Sequence, residues 1–128
     1  MQSAKLQLFN YLYEKFLNLN VPVIETKDLN QELPYPFVAI QSLSDHISRL
    51  TFDSYSGNPT ATVHLWGLND DKSANDTLYM QVQEILLNDI ELDGYTLVRP
   101  DISVNEIIDT TSNQELQHTI INIEYESH

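Results

Sequence analysis

Four histidines, His46, His64, His118 and His128, are the side chains of this 128-residue sequence best suited to moving a proton or holding a metal. Their spacing matches no metal motif, and no helix carries an HExxH or ExxH pattern. His64 and His118 fall in stretches that alternate like strands, where a histidine is more often a half-buried polar neighbour than a ligand or base. Ser42, Ser44 and Ser54 lack the GxSxG turn that exposes a serine nucleophile. Gly57, Gly67 and Gly94 stand too far apart to form a phosphate-cradling loop. Cysteine is absent, which excludes a disulfide framework and a thiolate zinc site. Asn75-Asp76-Thr77 matches a glycosylation sequon, here taken as chance. No catalytic, cofactor-binding or metal residue is expected, and the chain reads as something other than an enzyme.

The charge is lopsided. Nineteen acids against six bases give −13, and residues 1–69 carry six acids and four bases whereas residues 70–128 carry thirteen acids and two bases. Such a field repels phosphate backbones. Lys5, Lys15, Lys27, Arg49, Lys72 and Arg99 are scattered rather than clustered, so no direct nucleic-acid binding is expected. No run approaches the roughly 20 apolar residues of a membrane span, and the start "MQSAKLQLFN" lacks a signal peptide's basic end and long apolar stretch. These features point to a protein made and folded in a cytoplasm, with no membrane partner. The length suits a single domain over 1–128 with one core.

Two segments have helical periodicity. In the first, Leu6, Phe9, Tyr13, Phe16 and Leu17 form the expected core stripe, opposite Gln7, Tyr11, Glu14 and Asn18. The second runs from about 72 to 88, with Ser73 or an earlier Asp as N-cap and Leu78, Val82, Ile85 and Leu86 facing the core. Met80 and Leu87 fall on its other side and are candidates for a contact surface.

The rest alternates as strands. "VPVIET" suits an edge strand, and Pro34 and Pro36 hold "LPYPFVAI" extended up to a strand that starts at Phe37. "NPTATVHLWGL" alternates Ala61, Val63 and Leu65 with Thr62, His64 and Trp66. After the second helix come "DGYTLVRP", "DISVNEIIDT" and "ELQHTIINIEYE", with a turn at Asp93-Gly94 and a polar tip at "TTSNQ". The order of helix, three strands, helix and three strands suggests an α+β fold: an antiparallel β-sheet with both helices packed on one face. Residues 44–58 form a long β-hairpin or loop arm with few apolar anchors among Asp45, Ser48, Asp53, Ser54, Ser56, Gly57 and Asn58, so mobility is expected there until a partner binds. Asp45, His46, Arg49, Phe52 and Tyr55 on that arm join Met80 and Leu87 as candidate interface residues.

Taken together this order resembles the tail completion, or tail terminator, family of long-tailed bacteriophages over nearly the whole chain. Pro34, Tyr35, Pro36 and Phe37 stand where that family begins a strand with Pro-Tyr or Pro-Phe, and His64, Leu65 and Trp66 where it has an aromatic-containing strand before the second helix. Leu92, Asp93, Gly94, Tyr95 and Leu97 match its hairpin after the helix, whereas Gly67-Leu68-Asn69-Asp70-Asp71 departs from its commoner arginine-containing linker. The resemblance implies a structural subunit of a hexameric ring that caps the tail tube and joins it to the head connector. It implies a tail tube protein and a head completion or connector protein as partners, the head-proximal end of the tail as location after assembly in the host cytoplasm, and no active-site residues. The acid-rich half could then repel DNA passing through the joined tail. A different class also fits the charge: a small acidic binding protein, either a DNA mimic or an inhibitor of a basic enzyme, whose acids would line one surface.

Both readings predict no binding to duplex DNA. In an anisotropy titration at low ionic strength, where counterion release contributes most, no complex should form. A salt-sensitive complex would instead show that Arg49, Lys72 and Arg99 converge into a basic patch.

Overall fold

The computed structural model describes residues 2–28, 33–41, 43–49, 55–110 and 113–128. Ser3 starts helix α1 (Ala4–Leu17), its hydroxyl oxygen accepting the Leu6 N–H at 3.3 Å. Asp71 does the same for α2 (Lys72–Leu86), accepting the Ala74 N–H at 3.3 Å. Each cap satisfies one of the donors that a helix N-terminus leaves open.

The buried line of α1 is Ala4, Leu8, Leu12 and Phe16, not the stripe expected from the sequence. Of that stripe only Phe16 is in the core; Phe9 and Tyr13 stack on each other at its flank and Leu6 and Leu17 are exposed. The helix is apolar over more than one stripe, and the strict four-residue spacing of Leu8, Leu12 and Phe16 gives the straighter ridge to lay on a sheet. On α2 Leu78, Val82 and Leu86 are buried and Ile85 is partly so, as its periodicity predicts.

Five strands precede α2: β1 (Val23–Glu25), β2 (Phe37–Ile40), β3 (Ile47–Arg49), β4 (Tyr55–Gly57) and β5 (Thr60–Leu68). Three follow it: β6 (Ile90–Leu92), β7 (Tyr95–Asp109) and β8 (Leu116–Ser127). The arm supplies two strands that the expected order lacked, and β6 is a third. Pairing runs β1-β2-β5-β8, with β7 on the far side of β8 and β6 on β7, while the β3-β4 hairpin joins at the end of β8. The fold is α+β, but the sheet is mixed: β1 pairs parallel to β2, Val23 opposite Val38. The 11 residues that separate Glu25 from Phe37 approach the dozen a parallel return needs.

"DGYTLVRP" and "DISVNEIIDT" form one 15-residue strand rather than two. Register slips between Val98 and Asp101, where Arg99 has φ 54°. Pro100 has no N–H to give a ladder, and at this bulge none is required. The turn from β6 to β7 uses Gly94 at φ 82°, a conformation that Gly adopts at little cost. Gln7 of α1 grips that turn, donating from Nε2 to Asp93 O at 2.9 Å and accepting the Asp93 N–H at 2.7 Å.

Alternation along β5 and β8 separates the two faces. Ala61, Val63, Leu65, Ile121, Ile123 and Tyr125 meet both helices in a continuous core. Tyr125 is fully buried, and its hydroxyl donates at 2.7 Å to the carbonyl of Leu86 in the last turn of α2. Burial, and then the neighbouring Tyr11, push its phenol well above the ordinary value, so it remains a neutral donor. Tyr125→Phe leaves that buried carbonyl without its partner. Urea unfolding should show a loss of about 1–2 kcal/mol with an unchanged m-value.

Candidate functional site

The sheet face away from the helices carries no helix among the described residues, and on it Phe37 and Ala39 are buried while His64, Trp66 and His118 are half-buried. Along it the β5–β8 register places Trp66 opposite His118 and His64 opposite Ile120, and the β2–β5 register places Phe37 beside Trp66. The two strand histidines, 54 residues apart in sequence, bond to each other: His64 Nδ1 lies 2.8 Å from His118 Nε2. Gln41 Oε1, which can only accept, lies 2.7 Å from His64 Nε2. His64 Nε2 therefore carries the proton, His64 Nδ1 accepts, and His118 Nε2 donates. Trp66 lies flat on the His118 ring with centroids 3.8 Å apart.

Burial lowers the His64 pKa below the ordinary imidazole value. Burial also lowers that of His118, with His64 adding to the effect and Asp109 opposing it. Charging both rings would set two N–H groups against each other across a 2.8 Å gap. Among the described residues no group of three or more His, Cys, Asp or Glu could hold a metal ion.

The interface candidates fall in two places. Asp45 sits at the base of the arm, its carboxylate accepting the Asn58 N–H at 3.0 Å, while His46 and Arg49 are exposed further out. β3 pairs with β4 from Ile47 opposite Gly57 to Arg49 opposite Tyr55, so the described arm residues form a β-hairpin. A Cβ at Gly57 would come within 2.6 Å of Ser127 Oγ and 3.0 Å of Asp45 Oδ1, so a glycine lets the arm root against β8. Phe52 and the rest of residues 50–54, part of the 44–58 stretch where mobility was expected, lie outside the described residues. Met80 and Leu87 are 51% and 42% exposed on α2, beside a shallow depression lined also by Gln83 and Glu84.

Two further surfaces escaped the sequence reading. An apolar groove of about 470 Å³ lies between α1 and the ends of β1 and β2, lined by Lys5, Leu6, Phe9, Lys27, Ile40 and Leu43 among others. Val104, Ile107 and Ile108 on β7 are also exposed. The apolar residues Ile102, Val104, Ile107 and Ile108 of "ISVNEII" held the second signal, but which strand lies at a sheet edge is set by pairing. The groove exists because α1 is rotated so that Leu6 faces away from the core.

The histidine pair makes stability pH-dependent. Lowered native values mean that on acidification the unfolded chain takes up protons near pH 6.5 before the native one does. The contribution is complete above that value and is lost as the pH falls through the native values. Thermal melts should therefore show wild type losing more stability between about pH 7 and 5 than the His64→Gln/His118→Gln variant. Equal slopes would show that the pair contributes no such linkage.

No protein-family profile matches the chain, and no curated protein matches it in sequence. Solved structures do match its fold. One is a chain in the virion of a native gene transfer agent particle, with TM-score 0.63 and 8% identity over 97% of this chain and 95% of that one. Another is the gp17 protein of bacteriophage SPP1, with TM-score 0.56 and 23% identity over 95% of this chain and 89% of that one. At these identities what is shared is the fold.

Proposed function

We propose that the chain is a structural virion protein of a phage or prophage: a subunit of a ring, hexameric in the assembled tail, that ends the tail tube and joins it to the head connector. The observation that carries this reading is the fold shared along 97% and 95% of the chain with a virion component and a bacteriophage protein. The order of sequence features that resembles tail completion proteins supports the finer assignment. So do the surfaces left apolar in the single subunit, which are typical of chains that bury them in an assembly.

The charge fits a channel for DNA. Strand alternation puts Asp101, Asp109 and Glu124 on the open sheet face, where they would repel passing phosphates. The rival reading, an acidic mimic or inhibitor, wants its acids along one surface. Here the thirteen acids of residues 70–128 are spread over three regions: Asp71, Asp76 and Glu84 on α2 and its cap, Glu91 and Asp93 around the β6–β7 turn, and most of the remainder on the β7–β8 hairpin.

On this reading the arm and the exposed face of α2 pack on other virion proteins. Met80→Glu with Leu87→Glu leaves Leu78, Val82 and Leu86 untouched, so the circular dichroism spectrum should persist. Incorporation into tails, and the yield of joined particles, should collapse in a complementation assay. Normal joining by the double variant would remove this face from the assembly.

A further inference from the structure

We infer that the apolar groove beside α1 receives the free edge of β7 from a second copy of this chain, so that copies join head to tail. The inference rests on the ring reading above and names the contact that would build the ring.

The two surfaces lie at opposite edges of one sheet. The groove is at the β1 end, and β1 pairs only with β2 among the described strands. At the other end β6 covers β7 from Tyr95 to Leu97; beyond the bulge β7 pairs with β8 alone among the described strands. Because the surfaces differ and sit on opposite sides, a contact between them is heterologous. It leaves one groove and one edge unused in any open chain, and repeats into a ring where the rotation between copies closes and into a filament where it does not.

The chemistry of the two surfaces is complementary. Alternation places Val104, Glu106 and Ile108 on the helical side of β7, past Ile102, the last residue of that row to pack on the core. That side is an acid between two apolar residues, with Ile108 48% exposed. Glu106 accepts from Gln117 Nε2 at 3.1 Å through Oε1, which leaves its other oxygen able to accept. The groove offers the inverse: Leu6, Phe9, Ile40 and Leu43 as apolar lining, with Lys5 and Lys27 beside them. Leu6 is 44% exposed there, and among the described residues Lys27 pairs with the partly exposed Glu25, which also lines the groove, at 3.4 Å. These lysines are two of the six bases in a chain of net charge −13, so an acidic ridge has few other places to dock without repulsion.

The absence of cysteine allows a direct test, since an introduced pair has no native thiol to compete with it. The full chain carrying both Leu6→Cys and Ile108→Cys, oxidised at the concentration where native mass spectrometry shows wild type assembled, should give a covalent ladder that ends in a closed ring. Each single variant should give no ladder. A ring seen by mass without a ladder, or single variants that cross-link as fully as the double, would overturn this contact and leave the ring reading standing. A wild-type chain that stays monomeric alone and with tail tube protein, and gives no ladder, would overturn both. As a second readout, Lys5→Glu with Lys27→Glu should abolish assembly, and adding Glu106→Lys to the same chain should recover it. Loss without recovery would count against the charge match.

Discussion

Strand β8 is paired on both sides from Leu116 to Glu124, with Thr60 to Leu68 of β5 on one and Asp101 to Asp109 of β7 on the other. This double register is the constraint on which the other features depend. A slip of one residue would turn Ile121, Ile123 and Tyr125 away from the helices and bring Asn122 and Glu124 into the core. Because the register is held, one face has the aliphatic row that α1 and α2 cover, and the other presents Trp66, His64 and His118 in contact. The Tyr125 hydroxyl then ties the sheet to the end of α2, and Gln7 ties α1 to the β6–β7 turn.

The same pairing decides where the sheet stops. A closed barrel has no edges, but among the described strands this sheet keeps edges at β1 and β7 besides that of the β3–β4 hairpin, and neither of those two is blunted along its whole length. On one, β1 is only three residues long and is flanked by the groove. On the other, a nine-residue stretch of β7 exposes Val104, Ile107 and Ile108. For a protein that works alone such an edge invites uncontrolled association. For a ring subunit it is the means of assembly, and acids interleaved among its apolar residues restrict which surface can approach. The charge asymmetry of the chain acquires a structural meaning here, since the acidic half holds the edge and the nearly balanced half holds the groove.

Much of the fold was legible in the residues. The strand start at Phe37, the Asp93-Gly94 turn, the α2 core line and the exposure of Met80 and Leu87 follow from local chemistry. What was missed depends on partners far apart in sequence. The line of α1 that is buried was ambiguous because Leu6, Phe9 and Leu17 are as apolar as Leu8 and Leu12, and only the sheet chooses between them. Pro100 looked like the end of a strand because a bulge that can hold it is created by β8. The His64–His118 bond could not be seen in two isolated histidines, since it exists only once β5 and β8 are in register. The parallel β1–β2 pair and the two exposed edges are likewise products of topology. The arm was recognised as a hairpin or loop, and its described residues settle on the hairpin.

The central claim is that this fold is a unit of a closed assembly. Electron microscopy of the wild-type chain mixed with the tail tube protein of the same genome tests it most directly. The account predicts closed rings of this chain seated on the ends of tubes, with one head-to-tail contact repeated around the ring. Tubes with bare ends, and this chain found only as single copies or in a one-to-one complex with a basic protein, would contradict it.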